Sequence, residues 1–185
     1  QKRAYAWALQ VGTEAANREE AGQPVTGLLA VRRWLARRLV LDNTRRFLGL
    51  HRLQWAITGA APISPNVIRW YRALGVNLLE GYGMTESTGA GTANMPGASR
   101  LGTVGRPTSG TRIRLGAHNE IQIAGEAVFM GYLNNPEQTA QAVDTDGWLH
   151  TGDVGQIDAE GYIRIVDRMK DIIITAGGKN ITPSE

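Results

Sequence analysis

Between Leu53 and Leu79 the sequence carries a strand, a helix and a second strand in close succession, and few folds accommodate that order. Leu53-Gln-Trp-Ala-Ile-Thr58 reads as a strand, and Gly59-Ala-Ala-Pro62 as the turn that ends it. Ser64-Pro65 supplies a helix N-cap with proline at the first helical position, where its missing N–H costs nothing. Val67, Ile68, Tyr71 and Leu74 recur on one helical face, Gly75 is a C-terminal stop, and the apolar run Val76-Asn-Leu-Leu79 is the next strand. A strand–helix–strand unit of this kind is expected to be a right-handed crossover between parallel strands. The loops at 59–62 and 80–87 then lie at the carboxyl ends of those strands, the edge where open α/β sheets bind ligands.

The second loop, Glu80-Gly-Tyr-Gly-Met-Thr-Glu-Ser87, is the richest in chemistry. Gly81 and Gly83 allow backbone to approach a ligand closely. Tyr82 offers an aromatic face, Thr85 a hydroxyl and Glu86 a hard oxygen ligand, a set suited to a nucleotide with Mg²⁺. A glycine-rich turn that holds no ligand is the alternative.

Around this centre the chain has two textures. Residues 3–20 have helical spacing, with Tyr5, Ala8, Leu9 and Gly12 on one stripe before Gly22 and Pro24. Residues 26–48 read as a second helix carrying the pairs Arg32-Arg33, Arg37-Arg38 and Arg45-Arg46 among Val31, Trp34, Leu35, Leu39 and Leu41. Its apolar stripe is expected to face the core and its arginines solvent; contact with an anionic membrane through Arg32, Arg33, Arg37 and Arg38 is the alternative. From about residue 100, glycines punctuate short runs such as Thr111–Leu115 and Glu120–Ile123, whose alternation predicts half-buried antiparallel strands in a small sheet or barrel. Asn135-Pro-Glu-Gln138 opens a short helix packed by Ala140 and Val143, and a hairpin is expected over 154–166.

Residues 1–60 hold ten Lys/Arg against four Asp/Glu, and residues 61–185 hold ten against thirteen, so the basic excess is local. Without a groove-reading motif or stacking platform, nucleic-acid binding is not expected. No apolar run is long enough to span a membrane. No signal peptide is visible, and zero Cys fits a reducing compartment. The expectation is a cytoplasmic protein, with peripheral contact at the inner face of a membrane as the open variant. Neither end has the look of a natural terminus, so a piece of a longer chain is expected.

Four motifs recur in order: Tyr82-Gly-Met-Thr-Glu86, Gly147-Trp-Leu-His-Thr-Gly-Asp153, Asp167-Arg168 with Lys170-Asp171, and Gly177-Gly-Lys-Asn180 with Pro183-Ser-Glu185. They resemble the later core motifs of the adenylate-forming enzymes: acyl-CoA synthetases, nonribosomal peptide adenylation domains and firefly-type luciferases. The Gly-Gly-Lys-Asn form and the Arg-rich stretch are most similar to long-chain fatty acyl-CoA synthetases. The resemblance implies that Gly59, Ala60 and Ala61 line an adenine pocket with backbone and that Tyr82 packs on adenine, with Gly83 beside it. It implies Thr85 on the α-phosphate, Glu86 on Mg²⁺, Asp153 on both ribose hydroxyls and Arg168 on ribose or phosphate. Lys170 takes the hinge position, and Gly177 and Gly178 line the pantetheine channel of coenzyme A. Asp153 as a turn cap, Arg168 as half of a surface ion pair and Lys170 as an ordinary exposed lysine are the plain alternatives. Trp148 is expected in the core, His51 and His118 at the surface, and His150 carries no assigned chemistry.

The family's Ser/Thr/Gly-rich phosphate loop with its Lys does not occur here, and its C-terminal catalytic Lys is also absent. The implied architecture is α/β. A parallel βαβ portion of the large adenylation domain (1–100) precedes a small antiparallel, barrel-like β subdomain (101–167). The hinge and first hairpin of the C-terminal domain follow (168–185). The implied activity is ATP-dependent ligation of a fatty acid to coenzyme A through acyl-AMP. Its substrates are fatty acid, ATP and coenzyme A, and its missing partner is the remainder of its own chain, without which it is expected to be inactive. A fatty acyl-AMP ligase or other adenylation domain that does not use coenzyme A is one alternative. A non-catalytic membrane- or partner-binding piece built on the Arg-rich helix is another.

Overall fold

Helix formation around Pro65 follows the local signals. The side chain of Ser64 accepts from the Asn66 N–H, Pro65 is the first helical residue, and the helix ends before Gly75 at φ +80°. The structure, a computed structural model, describes residues 2–169, 173–174 and 180–181. In chain order the helices are α1 (Lys2–Glu20), α2 (Gly27–Ala36), α3 (Asp42–Phe47), α4 (Pro65–Ala73) and α5 (Pro136–Ala142). The strands are β1 (Trp55–Thr58), β2 (Asn77–Tyr82), β3 (Thr92–Ala93), β4 (Arg106–Pro107), β5 (Thr111–Leu115) and β6 (Glu120–Gly125). They continue with β7 (Leu149–Ile157), β8 (Ile163–Arg168), β9 (Ile173–Ile174) and β10 (Asn180–Ile181). The chain divides into two units, Gln1–Leu79 and Glu80–Glu185.

In the first unit, α1 buries Ala8 and Gly12 of the expected stripe together with Val11 and Ala15, while Tyr5 and Leu9 are half-buried. Small residues let the α1 backbone come close, and a Cβ on Gly12 would strike the Ala73 carbonyl oxygen at the end of α4. Ala8 and Val11 join Leu29, Ala36, Leu41 and Leu74 in one core. Each large member, such as Leu41 or Leu74, contributes about 1.5–3 kcal/mol by leaving water. The crossover β1–α4–β2 has the expected α/β form, with β1 and β2 neighbours in one sheet.

The second helix departs from expectation. It is α2, a π-helical turn over Arg37–Leu41 and then α3. Its buried residues are Leu29, Ala36 and Leu41. The step from 36 to 41 is five residues, the i→i+5 period of a π turn, so the wider turn brings Leu41 to the buried side. Val31, Trp34, Leu35 and Leu39, expected to face the core, are exposed. Several arginines have acidic partners. Both terminal nitrogens of Arg33 donate to Glu19, Arg32 pairs with Glu14 and Arg37 with Asp42. Arg45 donates to the Leu50 and Leu53 carbonyls and closes the turn after α3.

The second unit begins with the end of β2, where Gly81 pairs with Ala93 and Tyr82 with Thr92, antiparallel. β3 continues to β4. A separate antiparallel sheet runs β5-β6-β7-β8 and buries Ile121, Ile123, Leu149 and Ile163. Two of its turns share one design: Asp144-Thr-Asp-Gly-Trp148 and Asp158-Ala-Glu-Gly-Tyr162. In each, the aspartate Oδ1 accepts from the N–H groups two and four residues on, and the glycine takes positive φ. α5 has its Asn135 cap accepting from Gln138 N–H, as expected, but it buries none of its residues, and Ala140 is exposed. Trp148 is not a core residue; the guanidinium groups of Arg112 and Arg114 lie 5.3 and 4.1 Å from its ring centre. His51 and His118 are exposed, as expected. The strands β9 and β10 pair antiparallel. Lys170, Gly177 and Gly178 lie outside the described residues.

Candidate functional site

Gly81 and Gly83 bracket Tyr82 where β2 gives way to a tight turn. A Cβ on Gly83 would collide with the carbonyl oxygen of Gly89, so the chain can fold back at this point only without a side chain. Ser87, fully buried, holds the turn: its hydroxyl donates to the Met84 carbonyl and accepts from the Met84 N–H. Thr88 follows at φ +52° and Gly89 at φ +75°, which closes the loop. Thr85 is thereby left exposed on the rim.

The Tyr82 hydroxyl donates to Asp153 Oδ2 at 2.6 Å, across a sequence separation of 71 residues. Burial first, and then the bond to Asp153, push the Tyr82 phenol well above its ordinary value, so it remains a donor. Arg168 Nε donates to Asp153 Oδ1 at 3.1 Å. These two residues are direct cross-strand partners in the β7–β8 ladder, which accounts for their meeting. The environments differ. Asp153 is 6% exposed, whereas the Arg168 side chain is 70% exposed. The Asp153 carboxylate therefore has one half-buried and one solvent-facing neighbour. Asp153 lies within β7, next to a bulge between Val154 and Gly155, rather than in a turn.

Glu86 lies on the same turn as Tyr82. Its Oε1 accepts from the Tyr132 hydroxyl at 2.8 Å, and its main-chain carbonyl accepts from Phe129 N–H at 2.8 Å. The bond from the Tyr132 hydroxyl to the Glu86 carboxylate, ahead of other causes, raises the Tyr132 phenol from its ordinary value. Among the described residues no group of three His, Cys, Asp or Glu side chains could enclose a metal. A lone carboxylate is nonetheless an adequate donor set for Mg²⁺, which keeps waters and takes its other ligands from substrate phosphates. The residues present fit that ion in this limited sense.

Sequence reasoning missed two supports. Glu120, 8% exposed, accepts from the Gly152 N–H at 3.0 Å through Oε1, and its Oε2 lies 2.8 Å from His150 Nδ1. Arg114 Nε donates to Gln122 Oε1 at 2.7 Å, which turns the Gln122 amide nitrogen toward Glu120 Oε2. His150 Nδ1 is then the proton donor to Glu120. This set fixes the main chain one residue before Asp153. Tyr132, on the far side, fixes Glu86. In the first unit the turn residues Gly59, Ala60 and Ala61 are exposed, and Ala60 takes φ +66°, a strained conformation costing roughly 1–2 kcal/mol for a residue with a Cβ.

The family described as AMP-binding enzyme matches residues 12–133. The chain is 41% identical over 183 residues to fadD11 of Mycobacterium tuberculosis, provisionally named a fatty-acid–CoA ligase, covering 99% of this chain and 32% of the relative. It is 44% identical over 154 residues to the long-chain-fatty-acid–CoA ligase ACSBG2 of Gallus gallus, covering 80% of this chain and 20% of that one. The solved structure of a Mycobacterium tuberculosis fatty acyl CoA synthetase superposes with a TM-score of 0.60 at 36% identity, over 78% of this chain and 32% of that chain. The chain thus spans about a third or less of the length of these relatives. Over that span, the motif order, the α/β crossover followed by an antiparallel sheet, and the extent of the match agree: the chain belongs to the AMP-binding enzyme family.

Proposed function

We propose that this chain is the adenosine- and metal-facing portion of an ATP-dependent acyl-CoA synthetase acting on a long-chain fatty acid. The observation that supports the reading most is the hydrogen-bonded set Tyr82–Asp153–Arg168 with Glu86 on the adjoining turn. In the first half-reaction the fatty-acid carboxylate attacks the α-phosphorus of ATP, a P–O bond breaks and pyrophosphate leaves. In the second, the thiol of coenzyme A attacks the acyl carbonyl and AMP leaves. Tyr82 presents its ring to adenine, Asp153 accepts from the ribose hydroxyls, Arg168 reaches ribose or phosphate, and Thr85 donates to the α-phosphate. Glu86 would hold Mg²⁺, which when bound neutralises phosphate charge. These are positioning and electrostatic roles. Lys170 as the hinge and the 177–178 glycines as channel lining complete the proposal. With no Ser/Thr/Gly-rich phosphate loop in it, the 185-residue chain by itself has little or no ligase activity.

The test uses the full-length protein, with ATP–pyrophosphate exchange for the first half-reaction and thioester formation for the second. Asp153→Ala and Glu86→Ala each lower exchange by about a hundredfold or more; exchange at the wild-type rate would refute the site. Acyl-AMP formation with no dependence of turnover on coenzyme A would favour an acyl-AMP ligase instead.

A second reading rests on the exposed side chains of Leu28, Val31, Trp34, Leu35 and Leu39 beside the Arg pairs: peripheral docking on an anionic membrane. No described helix is long and apolar enough to cross one. The acidic partners of Arg32, Arg33 and Arg37 weaken this reading. Co-sedimentation with anionic vesicles that is unchanged in a Trp34→Ala/Leu39→Ala variant would eliminate it.

A further inference from the structure

The two oxygens of Asp153 are not equivalent. Oδ2 is held at 2.6 Å by the Tyr82 hydroxyl, a short charge-assisted bond in the buried part of the second unit. Oδ1 faces Arg168, whose side chain is 70% exposed, and a pair so open to water is weak and exchangeable. The main chain beside the carboxylate is fixed independently. The Asp153 N–H donates to Thr151 Oγ1 at 3.1 Å, and the Gly152 N–H donates to Glu120. The remaining freedom is rotation of the carboxylate about its last torsion, which is intrinsically soft. Tyr82, half-buried, is the group on the inner side that stops it.

We propose that the Tyr82 hydroxyl is a positioning group for sugar recognition. It turns the Asp153 carboxylate so that Oδ1 and the free lone pair of Oδ2 meet a vicinal diol, and it joins base and sugar recognition in one side chain. This rests on the nucleotide reading above. On that reading the ring stacks on the base, while the hydroxyl acts on the sugar only through Asp153. Arg168 is the neighbour that yields to, or shares Oδ1 with, the incoming diol. The two parts of Tyr82 are therefore separable: removing the oxygen spares stacking and loosens only the carboxylate.

The experiment compares ATP with 2′-deoxy-ATP and 3′-deoxy-ATP in the full-length enzyme, wild type against Tyr82→Phe, by ATP–pyrophosphate exchange. Wild type prefers ATP. Tyr82→Phe lowers kcat/KM for ATP by about tenfold through KM, the order expected for one lost bond to a charged group. It changes the deoxy-nucleotides by less than about twofold, so discrimination shrinks. Asp153→Asn, which keeps the side-chain shape, abolishes the same discrimination, and adding Tyr82→Phe to it changes nothing further. Equal losses on all three nucleotides, or an unchanged ATP preference in Tyr82→Phe, overturn the inference. A wild type that shows no fatty-acid-dependent ATP–pyrophosphate exchange overturns the nucleotide reading beneath it.

Discussion

Replacing Glu120 by alanine removes the support behind the candidate site, and its cost follows from the contacts. Gly152 N–H loses its acceptor at 3.0 Å in a part-buried position, which costs about 1–3 kcal/mol. The lost methylene adds about 0.8 kcal/mol. His150 loses its partner at 2.8 Å, but its side chain is 36% exposed and water replaces the carboxylate, so this contributes under about 1 kcal/mol. The sum is a loss of roughly 2–5 kcal/mol in the second unit. Glu120→Gln keeps the stem and an oxygen for Gly152 N–H, and should cost under about 1 kcal/mol. Urea unfolding followed by tryptophan fluorescence is the assay. Trp148 lies beneath Arg114, which donates to Gln122, so its ring adjoins the network being disturbed. A Glu120→Ala midpoint equal to wild type, or a Glu120→Gln loss as large as that of alanine, would refute the reasoning.

Two further outcomes are expected. Gly83→Ala drives a Cβ into the fixed carbonyl of Gly89 and should destabilise by about 1–3 kcal/mol, read as a lowered urea midpoint; a neutral result would mean the turn opens freely. Asp144 and Asp158 have lowered pKa values, chiefly because the Trp148 and Tyr162 N–H groups donate to them. Depressed carboxylates stabilise above their unfolded pKa, and that stability is lost as pH falls through the folded value. Melting temperature should therefore drop below about pH 4, and the Asp144→Asn/Asp158→Asn pair should flatten that acid limb.

Where a residue acts on its own neighbours, the sequence was readable. Ser64-Pro65 with Gly75, and Asn135-Pro136 with Gln138, specify helix ends through contacts two to four residues away. The helical stretch after Thr26 failed for a different reason. Periodicity shows that apolar residues share a face, but Leu29, Ala36 and Leu41 are brought together by a π turn that no cap signals. Glu120 and Gln122 alternate with Ile121 and Ile123, a pattern read as a wet face, yet both are buried because β7 delivers His150 and Gly152 to that face. In the site, the motifs marked Tyr82, Glu86, Asp153 and Arg168 as residues of interest. They did not reveal that Tyr82 already occupies an Asp153 oxygen, or that Tyr132 holds Glu86, since those partners are set by strand register and loop path.

The Asp153–Arg168 pair sits at the end of its ladder. The rung beyond it is the bond from Met169 N–H to the Gly152 carbonyl, at 2.8 Å. A paired ribbon opens from its end, and fraying there takes little free energy compared with global unfolding. Unzipping this rung and the next separates Arg168 from Asp153 while Tyr82 keeps its own grip on the other oxygen. Opening of this sheet end therefore releases the Oδ1 side of the Asp153 carboxylate before it disturbs the packed strands.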